Sequence, residues 1–273
     1  MPTHILANGV TIPALGVGTW PIPDRQAETI VASAIDAGYR LIDTAEGYGN
    51  EEGVGRGIRA SGVDREQLFI TTKFNRKWHG EAESQQAFAN SARRLGVDYI
   101  DLLLIHWPNP ALNRYVQAWS GMIHLLGEGN VRSIGVSNFK PSHLDRLVAA
   151  TDVAPHLNQI QLNPRVPRHV ERGYHAAHGI LTESWAPIGK GSDLLADPVI
   201  SEISRTSSRT PAQVVLRWHI QHGLVPIPKT THPERLVENF DVLDFELSPV
   251  EMGRLDALDR HGEGAVDSDT NGN

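Results

Sequence analysis

Four residues in the first half of this 273-residue chain carry side chains that hold or move charge and protons: Asp43, Tyr48, Lys73 and His106. Asp43 stands near the end of the run Leu41-Ile42-Asp43-Thr44-Ala45, Lys73 closes Phe69-Ile70-Thr71-Thr72-Lys73, and His106 closes Leu102-Leu103-Leu104-Ile105-His106. Tyr48 follows the first run, between Gly47 and Gly49. A phenol with its ordinary pKa of ~10 is a weak acid near neutrality. An ammonium ~4 Å away in an effective dielectric of ~20 contributes ~4 kcal/mol, enough to lower that pKa by ~3 units. Asp43 would keep Lys73 charged and in place, and His106 would orient a carbonyl oxygen beside the phenol. Such a set protonates an oxygen that is gaining negative charge, as in carbonyl reduction. Singly, each residue has a plainer reading: a structural ion pair, a strand-end histidine before Trp107-Pro108, a loop tyrosine at the surface. Only their convergence favours chemistry.

Convergence requires the three runs to be neighbouring strands. Short β-rich runs at 15–19, 40–45, 68–73, 101–106, 131–137, 157–162, 180–185 and 225–229 alternate with stretches of helical period at 26–37, 51–60, 84–95, 115–126, 141–149, 169–177 and 211–221. Gly38 and Gly96 follow the first and third helical stretches, where a left-handed cap is wanted. Pro141 and Pro211 suit first helical turns. A βαβ unit takes ~30 residues, so the chain holds eight units, the arithmetic of a closed (β/α)8 TIM barrel. Ahead of them, 5–7 and 10–12 flank Asn8-Gly9, a two-residue hairpin signal. With no linker or composition break, residues 1–273 read as one domain; the stretch from 260 on, rich in Gly, Asp and Ser, reads as a loose tail with no tight lid.

Reduction needs a hydride, which no side chain supplies and a nicotinamide cofactor does. Gly55-Arg56-Gly57-Ile58-Arg59-Ala60 has dinucleotide-loop spacing but lies inside a helix and follows no strand. Ile227-Pro228-Lys229-Thr230, at the last strand end and ahead of a helix, is the better anion site, with Lys229 and Arg235 as its two cations.

Composition excludes several classes. With 25 basic and 32 acidic residues the net charge is −7, which argues against general binding to nucleic acid or anionic membranes. There is no cysteine, so disulfides, thiolate catalysis and Cys-bound metals are out. No apolar run reaches the ~20 residues of a membrane span and no signal peptide opens the chain, so a cytoplasmic protein, a monomer, is expected. Among 13 histidines, the pairs His175/His178 and His219/His222 lack a third ligand, so no metal is expected. Gly135-Val136-Ser137-Asn138 ends in Phe139 and lacks the final glycine of a hydrolase elbow. Two alternatives stay open: a nucleotide-binding scaffold or sensor that keeps this architecture, and a Schiff-base aldolase using Lys73, for which a neutral amine is required.

Three segments carry a family resemblance. Gly38-Tyr39-Arg40-Leu41-Ile42-Asp43-Thr44-Ala45 with Tyr48, Glu51 and Val54-Gly55, then Ile134-Gly135-Val136-Ser137-Asn138-Phe139, then Ile227-Pro228-Lys229-Thr230 with Arg235 and Glu238-Asn239, resemble in order the three signatures of the aldo-keto reductases. Tyr48-Gly49-Asn50-Glu51-Glu52-Gly53-Val54-Gly55 and Thr210-Pro211-Ala212-Gln213 are most similar to the bacterial 2,5-diketo-D-gluconic acid reductases. The resemblance implies NADPH-dependent reduction of aldehydes, ketones or dicarbonyls, with Tyr48 as proton donor assisted by Asp43, Lys73 and His106. It implies that Ser137, Asn138 and Gln159 hold the nicotinamide carboxamide and that Trp185 stacks on its ring. Thr19, Trp20, Ala186 and the loop Ile188-Gly189-Lys190-Gly191 would line the dinucleotide; Lys229, Thr230 and Arg235 would take the 2′-phosphate, and Glu238 and Asn239 the adenine. Trp20, Tyr48, His106 and Trp107 would face the small carbonyl substrate. One departure stands out: many relatives carry Trp two places after the lysine, where this chain has Asn75, with Trp78 three places on.

Overall fold

A computed structural model describes residues 1–272. Eight parallel strands pair in chain order: β3 (Gly16–Gly18), β4 (Leu41–Asp43), β5 (Phe69–Phe74), β6 (Ile100–Ile105), β7 (Val131–Ser137), β8 (Leu157–Gln161), β9 (Leu181–Trp185) and β10 (Val225–Pro226). The two ends of the ladder meet where the Gly18 N–H donates to the Pro228 carbonyl at 3.0 Å. Their central strands are buried on both faces, hence the near-continuous apolar runs of β5 to β7. β10 is shorter than its apolar run because Pro226 and Pro228 have no N–H for a ladder.

An antiparallel hairpin, β1 (Thr3–Ile5) and β2 (Thr11–Pro13), precedes the barrel. Its turn differs from the two-residue loop expected. Gly9 N–H donates to Leu6 O and Leu6 N–H to Val10 O, with Gly9 at φ 84°, so Ala7-Asn8-Gly9 form a three-residue loop with a glycine bulge. Leu6 and Ile12 join Leu41, Phe69, Leu102, Leu104, Leu157 and Val225 in one buried cluster, so the hairpin plugs the floor and leaves the carboxyl ends open.

Among the described residues ten helices surround the sheet: α1 (Asp24–Asp36), α2 (Glu51–Ala60), α3 (Glu81–Leu95), α4 (Tyr115–Gly127), α5 (Pro141–Thr151), α6 (His169–Ala177), α7 (Pro198–Ser207), α8 (Pro211–Gln221), α9 (Pro233–Phe240) and α10 (Pro249–Asp256). α8 opens on a reciprocal cap between Thr210 and Gln213, and Gly96 ends α3 in the left-handed conformation. The glycine repeat of α2 serves packing: a Cβ at Gly53 would lie 2.1 Å from Asp24 O, and one at Gly55 2.2 Å from Leu95 O. α7 and α10 have no counterpart in the sequence-based outline. Their apolar faces are short, and Pro198 and Pro249 at their first turns were not counted as starts.

The tail is not loose. Lys140 pairs with Asp267 and Asp269, both at 2.6 Å, and Arg168 donates to Val266 O at 2.8 Å. Gln161 accepts from Val266 N–H at 2.7 Å and donates to Gly264 O at 3.1 Å, while Ser268 is buried. A segment without apolar period has no hydrophobic anchor; this one is held by charge and by its own backbone. Its end reaches the barrel mouth, where Asn109 donates to Gly272 O and Gly272 lies against the Trp107 ring.

Candidate active site

The register of β4, β5 and β6 delivers the proton-handling groups. Asp43 is the last residue of β4 and pairs with Thr71, while Lys73 pairs with Leu104. His106 follows β6 directly, its N–H donating to Phe74 O. Tyr48 ends a single 3-10 turn over Glu46–Tyr48, which Gly49 closes at φ 67°. That conformation strains any residue with a Cβ, so the glycine after the tyrosine aims it.

All three hydrogens of the Lys73 ammonium are used: Asp43 Oδ1 at 2.7 Å, Thr44 O at 2.9 Å and Tyr48 OH at 3.3 Å. Lys73 and Asp43 are fully or almost fully buried, whereas the Tyr48 ring is half-buried with its hydroxyl turned inward. Burial is the largest single influence and disfavours the charged amine, yet Asp43 and its acidic neighbours together outweigh it and hold the Lys73 pKa above its usual value. Asp43 itself is pushed up by burial, against the pull of Lys73 and Gln159. For Tyr48 the net direction is upward: desolvation dominates, and Lys73 opposes it without reversing it. The simple Coulomb expectation of a lowered phenol pKa omitted the cost of burying a phenolate. His106 is pushed down to about 3, first by burial and then by Lys73, so its imidazole is neutral. Its ring meets Tyr48 edge-on at 5.8 Å, and its Nδ1 lies 3.0 Å from Asn75 Oδ1. Asn75 therefore backs the histidine, and Trp78 turns away to donate to Glu46 at 2.8 Å.

A cavity of about 650 Å³ opens above this group. Trp20, Asp43, Tyr48, His106, Trp107, Ser137, Asn138, Gln159, Trp185, Ala186, Ile188, Lys190, Gly191, Lys229 and Arg235 all line it. The sequence had not singled out Gly18, Pro21, Pro187, Ser192 and Leu195, which share the lining with Ile227 of the anion-site motif. Apart from Leu195 they sit within a few residues of named ones, and mostly small or apolar side chains give no chemical signal. Six candidates lie off the lining, among them Lys73, which is fully buried. Thr19 is fully buried with an unpartnered hydroxyl, and Gly189 packs on Ser192 and Leu194. Thr230 accepts from His232 N–H ahead of α9, Glu238 accepts from the Thr210 hydroxyl, and Asn239 is buried on α9.

The polar walls are prearranged. Asn138, at φ 64°, donates to Ser137 Oγ and His106 O and accepts from the Trp185 indole at 2.8 Å. Ala186 and Lys190 also have positive φ, at 52° and 46°. The bends of that loop bring Lys190 Nζ to 4.1 Å from the Trp20 ring centroid, across the cleft. At the far end Arg235 is exposed and Lys229 half-buried; among the described residues neither makes an ion pair. An elongated cleft with amide groups at one end and two uncommitted cations at the other fits a phosphorylated dinucleotide. No group of acidic and histidine side chains able to hold a metal occurs among the described residues.

Comparison with known proteins identifies the family. Residues 14–260 match the aldo/keto reductase family. An aldo-keto reductase of Mycolicibacterium smegmatis is 48% identical over 258 residues, covering 94% of both chains. Methylglyoxal reductase DkgA of Escherichia coli is 45% identical over 262 residues, 95% of this chain and 94% of that one. A crystal structure of a Gox0644 mutant in complex with NADPH superposes with a TM-score of 0.93 at 42% identity, covering 98% and 97% of the two chains. The chain belongs to the aldo/keto reductase family and has its (β/α)8 barrel.

Proposed function

We propose that this protein reduces aldehydes, ketones or dicarbonyls to alcohols with NADPH, Tyr48 being the proton donor. The observation that carries the reading is the Lys73 ammonium, fully buried and bonded to both Asp43 and the Tyr48 hydroxyl. NADPH, when bound, supplies the hydride to the carbonyl carbon. Tyr48 then gives its phenolic proton to the carbonyl oxygen, and Lys73 stabilises the phenolate left behind. A neutral His106 has no charge to lose and serves to orient the oxygen. Ser137, Asn138 and Gln159 would hold the nicotinamide end, Trp185 would flank its ring, and Lys229 with Arg235 would take the 2′-phosphate. Trp20 and Trp107 form apolar walls that keep water from the reacting carbon.

Lys73 held in its charged form does not suit a Schiff base, which needs a free amine. We take the enzyme to be monomeric and cytoplasmic. The test is NADPH consumption with methylglyoxal, a diketogluconate and aromatic aldehydes. Turnover with at least one and alcohol as product is expected; tight NADPH binding without turnover on any would support the scaffold reading instead.

A further inference from the structure

Below the tetrad lies a second carboxyl group that the proposed chemistry leaves without a task. Glu183, on β9, is fully buried and faces the barrel lumen, in register with Gln159 on β8 and Val225 on β10. One of its oxygens, Oε1, accepts from Gln159 Nε2. The same nitrogen donates across the lumen to Asp43 Oδ2 at 2.8 Å. The other carboxyl oxygen of Glu183, Oε2, is buried with no hydrogen-bond partner.

An amide nitrogen has two hydrogens, and here both go to carboxyl groups. The reverse amide orientation would set its oxygen against an Asp43 carboxylate, so this arrangement fixes which end of Gln159 is which. Its Oε1 has no partner among the described residues and belongs to a side chain that lines the cavity. The titratable groups facing Glu183 are Asp43 and Lys73, with Tyr48 beyond, and Lys73 is the single cation among them. A second carboxylate would leave this lumen with uncompensated negative charge. An orphaned neutral oxygen costs far less to bury than an orphaned anionic one. Burial, reinforced by Asp43, accordingly pushes Glu183 up to about 8.

We propose that Glu183, as a neutral carboxylic acid, is a positioning residue that locks the Gln159 amide with its oxygen free for the amide hydrogens of the nicotinamide carboxamide, leaving Asp43 as the only anion paired with Lys73. This rests on the proposed NADPH-dependent reduction and assigns it a residue outside the tetrad.

The experiment uses the full chain and three proteins: wild type, Glu183→Gln and Glu183→Leu. Infrared spectra near neutral pH without cofactor should show a carboxylic-acid C=O band in wild type that Glu183→Gln removes. Fluorescence titration then compares NADPH with its 3-acetylpyridine analogue, in which a methyl ketone replaces the amide. One lost hydrogen bond predicts that wild type prefers NADPH by roughly 3- to 10-fold. Glu183→Gln keeps an acceptor for Gln159 and should keep that preference. Glu183→Leu leaves Asp43 alone to hold the Gln159 amide and should lower the ratio toward one. No acid band in wild type, or an unchanged ratio in folded Glu183→Leu, overturns the proposal. Wild type that binds both dinucleotides with the expected ratio but reduces no carbonyl would instead sink the proposed activity and leave the role of Glu183 standing.

Discussion

Lys73 and Arg235 are cations of the same cleft, in opposite surroundings. Lys73 is sealed in the barrel lumen with every hydrogen committed, to Asp43, Thr44 and Tyr48. Arg235 stands exposed on α9 with no ion pair among the described residues, and Glu238, a turn further on, is engaged by Thr210 instead. A buried ionic network is arranged before any ligand arrives and is part of the fold. An uncommitted surface cation costs the fold little and is free to meet an anion. Changes in the lumen should therefore strike chemistry and stability together, and changes at the rim should strike binding alone.

The sharpest test of the lumen removes the proposed proton donor. Tyr48→Phe should cut carbonyl reduction by ~10²- to 10⁴-fold, the usual worth of a general acid, with NADPH affinity retained in a fluorescence titration. Activity within a few-fold of wild type would remove Tyr48 from its role.

Lys73→Met comes next. It strands the Asp43 carboxylate in the lumen, and breaking a buried pair typically costs ~3–5 kcal/mol, readable by denaturant unfolding. Because Lys73 pulls the phenol downward against burial, its loss should also move the Tyr48 limb of the pH–rate profile to higher pH. Unfolding and profile both unchanged would mean that the pair is neither structural nor catalytic.

At the rim the expected effect is smaller and selective. A hydrogen bond to a charged group contributes ~1.5–3 kcal/mol, so Arg235→Ala should weaken NADPH by roughly 10- to 150-fold and NADH hardly at all. Equal losses for both cofactors would show that Arg235 does not read the phosphate. The smallest effect belongs to the tail. Its ion pairs to Lys140 are solvent-accessible, so Asp269→Ala should cost less than ~1 kcal/mol in thermal unfolding. A larger loss would make the tail part of the barrel's stability and break the contrast between lumen and surface.

Asp43, Lys73 and His106 were legible in the sequence because each ends or follows an apolar run, and a strand-helix alternation sends all such ends to one mouth. Ser137, Asn138 and the cations near 229 and 235 were recognisable by spacing in the family signatures. The elements missed or misjudged have physical reasons. α7 and α10 are short and weakly periodic, β10 is cut by its own prolines, and the tail is held by pairs far apart in sequence. Asn75, noted only as a departure from the Trp of many relatives, is the residue behind His106, which only the turn from β5 to α3 decides.

Residue types and their period, by themselves, determined the (β/α)8 architecture and the gathering of Asp43, Tyr48, Lys73 and His106 at one mouth, since those depend on short-range pattern and on one rule of chain topology. Whether a charge would be stabilised or suppressed was decided only by the folded barrel. Burial, which no local spacing encodes, turned Tyr48 upward and made His106 neutral, and closure of the barrel set Glu183 of β9 and Gln159 of β8 across the lumen from Asp43 of β4.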